Sequence, residues 1–136
     1  MSRLPACVRR RSAALGLCLA ACSSDPTSPG GPLPECTGPV TIEVSSGTSP
    51  SFDWSPACRL FFLIVELGAD DQWLVITDGA NAIAPPVRYG VLPAGARQRD
   101  PAIPLEAGRT YDVNVARWTG PGAEDGVLIG SRDFTP

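Results

Sequence analysis

Thr110–Trp118 reads "TYDVNVARW", with apolar residues at every second position. Tyr111, Val113 and Val115 share one face, and Asp112, Asn114 and Ala116 share the other. Successive side chains of a strand point to opposite faces, so this pattern predicts a strand with one buried face. The same parity turns Arg117 inward and Trp118 outward, just before the Gly- and Pro-rich loop "TGPGAEDG" that carries Glu124 and Asp125.

Working outward from this strand, six further short runs are punctuated by Gly, Pro, Asp and Asn: "VTIEVSS" (40–46), "SFDWSPA" (51–57), "RLFFLIVEL" (59–67), "QWLVITD" (72–78), "PVRYGVL" (86–92) and "GVLIGSRDFT" (126–135). No helix of any length and no internal repeat is read. Seven short runs with frequent turn signals predict an all-β chain, a single seven-stranded antiparallel β-sandwich over residues 36–136. Trp54 and Tyr111 are predicted to be core residues, and Trp73 core or half-buried. In "RLFFLIVEL", Phe61, Leu63, Val65 and Leu67 are assigned to the core, with Leu60, Phe62 and Ile64 outside. That outer stripe is either covered by neighbouring side chains or a protein interface.

"LEAGRTYDVNV" places Leu105 and Gly108 ahead of Tyr111. The stretch resembles the tyrosine corner of immunoglobulin-like and fibronectin type III sandwiches, in which the tyrosine hydroxyl bonds to backbone a few residues upstream. "SFDWSPA" is similar to the second strand of a fibronectin type III module, with Trp54 as its core tryptophan. Immunoglobulin domains link second strand to sixth by a disulfide. Here Cys36 and Cys58 flank the first predicted hairpin instead, which favours the fibronectin-like class.

The amino terminus carries a different signal. Arg3, Arg9, Arg10 and Arg11 precede an uncharged, mostly apolar run that ends "LAAC", Leu19 to Cys22. A basic start, a short apolar run and small residues make a secretory signal over residues 1–21. About 10 apolar residues fall short of the roughly 20 that a spanning helix needs. Leu, two small residues and Cys resemble the bacterial lipoprotein motif at all four positions. The resemblance implies cleavage before Cys22 and lipidation of its thiol, hence a membrane partner held through lipid and a place in the cell envelope. Ser23 in place of Asp implies the outer membrane where a cell has two. Residues 22–35 then form the lipidated Cys and a flexible Ser/Pro/Gly tether, its dozen or so residues reaching roughly 20 Å on average.

Export resolves the cysteines. Cys7 and Cys18 leave with the signal and Cys22 takes lipid, so Cys36 and Cys58 remain, and a disulfide is the default in an oxidising compartment. A 40–46/51–57 hairpin sets both just outside adjacent strand ends.

Cleavage also changes the charge. The chain has 11 basic and 14 acidic residues; the signal removes four arginines and no acid, leaving seven basic residues and a net charge of −7. Nucleic acid is not expected as a partner, because phosphate binding needs a basic stripe. The chain has no histidine and no lysine. A Ser-His-Asp triad and a Schiff-base amine are therefore ruled out, along with the commonest metal ligand. The adjacent carboxylates Asp70/Asp71 and Glu124/Asp125 are read as solvated turn formers; the alternative, calcium binding, lacks an alternating ligand pattern. No catalytic residue, metal or cofactor is assigned. Trp118, Glu124 and Asp125 are the ligand-binding candidates, for a protein or a polysaccharide. The function expected is a lipid-anchored binding or structural module, then an accessory subunit of an envelope complex, and last a small surface enzyme.

Overall fold

The structure, a computed structural model, describes residues 32–121 and 126–136. Residues 1–21, Cys22 and tether residues 23–31 lie outside them, as do Glu124 and Asp125. Among the described residues there is no helix, and eight strands form two antiparallel sheets. The smaller sheet orders β1 (Thr41–Val44), β2 (Ser51–Ser55) and β5 (Val87–Arg88) as β1-β2-β5. The larger contains β3 (Phe62–Leu67), β4 (Asp70–Ile76), β6 (Arg97–Asp100), β7 (Tyr111–Trp118) and β8 (Gly126–Phe134), in the order β6-β4-β3-β7-β8.

Seven of the strands fall within or overlap the predicted runs. The eighth, β6, has the sequence "RQRD". It carries no apolar alternation because it is an edge strand, largely exposed, and its strand character comes from pairing with β4. Charge along an edge discourages further strand addition.

Alternate residues of both sheets meet in one buried cluster: Ile42, Phe52 and Trp54 from the smaller sheet, and Leu63, Val65, Trp73, Val75, Tyr111, Val113 and Val115 from the larger. The indole of Trp54 donates to the Cys58 carbonyl at 2.8 Å, whereas the buried Trp73 Nε1 has no hydrogen-bond partner among the described residues. Trp73 instead packs edge-on to Tyr89, ring centroids 5.3 Å apart. The Tyr89 hydroxyl donates to the Ile103 carbonyl at 2.6 Å, and burial pushes its pKa up to about 12.

Leu105 is buried, Gly108 has φ +81°, and the Glu106 N–H donates to the Tyr111 hydroxyl oxygen at 2.9 Å. A residue with a Cβ is strained at that φ, which accounts for glycine in this turn. Cys36 and Cys58 form a disulfide with Cα atoms 4.9 Å apart, beside the Thr41↔Ser55 end of the β1–β2 hairpin. Gly130 on β8 lies against Val40, where a Cβ would come within 2.8 Å of Val40 Cγ2. The two sheets close on each other there, and the Val40 N–H donates to the Ile129 carbonyl at 2.9 Å.

The run "RLFFLIVEL" corrects its own parity. It is not one strand. Leu60 pairs with Ile83 in an isolated bridge, the chain bends at Phe61, and β3 starts at Phe62. Leu60 is therefore core, at 0% exposure, not outside. Phe61 is buried at 4% but lies off the main core, against Phe62 on the outer side. Alternation is a property of continuous strand, and the bend resets it.

Candidate functional site

The outer face of the larger sheet is built by register. Phe62 pairs with Ile76 on one side and Ala116 on the other, and Ile64 pairs with Leu74 and Asn114. Ala116 pairs in turn with Leu128. Because Leu63, Val65, Trp73 and Val75 fill the core, Phe62, Ile64, Leu74 and Ile76 point away from it. Together with Leu128, which is 56% exposed, they make an apolar belt across β4, β3, β7 and β8. A groove of about 480 Å³ runs over the belt, with Phe61, Glu66, Arg99 and Asn114 also in its walls.

Trp118 extends this face. Outward parity along β7 holds to its end, and Trp118 lines a second hollow of about 310 Å³ that shares Phe61, Ile76 and Arg99 with the first. Trp118 is half-buried. Its ring lies over Gly79, and the buried Asn81 clamps its backbone. The Trp118 N–H donates to Asn81 Oδ1 at 2.7 Å, and Asn81 Nδ2 donates to the Trp118 carbonyl at 3.1 Å. Sequence reasoning did not single out Asn81. Leu74 and Ile76 were also missed, although parity against Trp73 and Val75 carried the signal. Arg99 and Leu128 left no signal, because they join the face through pairing with distant strands.

Charge divides the face. At one corner stand Arg97 and Arg99 of β6. Arg97 is paired with Asp78 at 2.8 Å, and Arg99 has no ion pair among the described residues. At the opposite end of the strands the register lines up Asp71, Glu66, Asp112 and Asp133, one from each of four adjacent strands. Asn114 donates to Glu66 at 2.7 Å. A hydrogen bond between the Asp112 and Asp133 carboxyls raises the Asp112 pKa above its ordinary value, and burial and the charges of Asp133 and Glu66 add to this. Asp70 and Asp71 open β4 and are exposed. No group of three or more acidic or sulfur ligands placed to hold a metal ion occurs among the described residues.

Asp112 sets an expected pH dependence. Its folded pKa lies above the unfolded value, so its contribution is most favourable at low pH and is lost as pH rises through the folded pKa. Asp112→Asn removes that loss while keeping a hydrogen-bonding group beside Asp133. The melting temperature of the variant minus that of the parent should grow as pH rises through the carboxylate range. A difference that is flat from pH 3 to 7 contradicts a raised Asp112 carboxyl.

Comparison with protein-family models, with curated proteins and with solved structures finds no match for this chain.

Proposed function

We propose that this chain is an exported, lipid-anchored fibronectin type III-like β-sandwich. It serves as a binding module at the cell envelope, and its contact surface is the outer face of the larger sheet. The observation that carries the reading is the belt of Phe62, Ile64, Leu74, Ile76 and Leu128, apolar and not part of the core. Apolar area in one patch, rimmed by charge, is the usual mark of an interaction surface. The belt is more aliphatic than aromatic, which suits a protein surface better than a polysaccharide and favours the accessory-subunit form of the reading. Two sheets sharing one core, and the Glu106–Tyr111 hydrogen bond at a left-handed Gly108, support the sandwich class. "LAAC" at 19–22 supports the anchor.

The test uses the full chain in a bacterial envelope, with a photo-reactive residue in place of Ile64 or, as control, of the exposed Thr41. A discrete adduct from position 64 and none from 41 is expected. The same cells should incorporate a fatty-acid probe into the protein and fail to do so with Cys22→Ser. No adduct from position 64 removes the binding face, and normal labelling of Cys22→Ser removes the anchor.

A further inference from the structure

We infer that the outer face of the larger sheet is an isologous interface, joining two copies of this chain face to face about a two-fold axis that crosses the strands. The inference rests on reading that face as the binding surface, and it names the occupant. Charge is distributed unevenly about the belt. The acidic row, Asp71, Glu66, Asp112 and Asp133, lies at one end of the strands. The basic corner lies towards the other, where Arg97 is held by Asp78 and Arg99 has no ion pair among the described residues. The belt lies between.

Two copies of a sheet can face each other about an in-plane axis that runs along the strands or across them. An axis along the strands keeps each end opposite its own kind, acids against acids. An axis across the strands inverts one copy and keeps each strand's lateral place, so Arg99 of each comes towards Asp71 at the acidic end of the other while belt still meets belt. Like charges in direct opposition cost several kcal/mol at an interface. The charge pattern therefore selects the second arrangement. Any two-fold contact makes each pairing twice, so one surface supplies both halves of the complement. A different protein would have to carry an apolar belt and both charges in mirrored order; a second copy carries them by identity. Arg99 agrees, as a cation on the groove wall with no ion pair among the described residues. The edges of the larger sheet do not offer an equal alternative. β6 is short and charged, and the middle of β8 is occupied by Val40 and by the bond from Arg132 to the Ile42 carbonyl.

The experiment co-expresses two differently tagged full-length copies, one carrying the photo-reactive residue at position 64. The expected product has the mass of two chains, contains both tags, and maps to the belt of the second copy. Arg99→Glu in both copies replaces two attractive contacts by two repulsive ones and should lower that product roughly tenfold, a loss of about 1.4 kcal/mol. Adding Asp71→Arg should restore it. Both positions are exposed, so circular dichroism should be unchanged. An adduct with some other protein overturns self-association while keeping the binding face, and no adduct at all removes both. A two-chain product indifferent to Arg99→Glu, or one not restored by the second change, overturns the two-fold arrangement.

Discussion

Replacing Cys36 and Cys58 together by alanine should lower the unfolding free energy by about 3 kcal/mol, the chain-entropy value for cross-linking residues at this spacing. The sequence separation is 22, and both side chains lie within the core, at 3% and 4% exposure. For a domain of this size that corresponds to roughly 10–20 °C in melting temperature. The fold itself should survive. The Cys36 N–H donates to the Arg59 carbonyl at 3.0 Å, and the Arg59 N–H to the Pro34 carbonyl at 2.8 Å. Arg59 also forms an ion pair with Glu35 at 3.8 Å and donates to the Leu33 carbonyl at 2.7 Å. These contacts hold the entering chain beside residue 59 without the sulfurs. Thermal melts with near-ultraviolet circular dichroism check both halves. A shift under about 3 °C would show that the bridge constrains little, and loss of the near-ultraviolet signal at low temperature would show that it is needed to fold.

The core tryptophans supply the second large effect. Trp73→Ala should cost about 3–5 kcal/mol, as for other fully buried aromatics, because Trp73 has no exposed surface and its ring packs on Tyr89. Phenylalanine separates the two tryptophans more sharply. In Trp54→Phe the Cys58 carbonyl loses a buried donor at 2.8 Å, at a cost of about 1–3 kcal/mol beyond the change in volume. In Trp73→Phe the N–H removed has no hydrogen-bond partner among the described residues, so no such loss follows. Trp54→Phe should therefore be the more destabilising by roughly 1–2 kcal/mol, read from denaturant midpoints at equal slope. An equal or reversed order would mean that the Trp54 bond carries little net energy.

The strands that could be read in the sequence are those with an immediate local consequence of being half-buried. Tyr111, Val113 and Val115 alternate because each must reach the same core, and Ile42 and Trp54 follow the same rule on the smaller sheet. The Cys36–Cys58 pairing was legible from cysteine usage and the expected hairpin, and the structure contains it. β6 was not legible. Nothing buries its residues, and a strand held by hydrogen bonds to one neighbour leaves no hydrophobic period. The inversion of Leu60 and Phe61 was hidden for a different reason. A run that is apolar on both faces gives no marker of where the chain bends.

Local sequence thus determined that this is a β chain, which residues of β7 face inward, and where the Cys36–Cys58 disulfide falls, since each depends on neighbours a few positions away or on cysteine count. Only the tertiary structure decided what lies on the outer face. Phe62, Leu74, Arg99, Asn114 and Leu128 come from five different strands, and they become neighbours through hydrogen-bond register between segments far apart in the chain. The acidic row arises the same way. Nothing in the sequence sets Asp71, Glu66, Asp112 and Asp133 beside one another; cross-strand pairing does, and the resulting Asp112–Asp133 hydrogen bond is what chiefly raises the Asp112 carboxyl. Register is fixed by what each strand buries on its inner side, so the outer face is a consequence of core packing that no single strand carries in its own pattern.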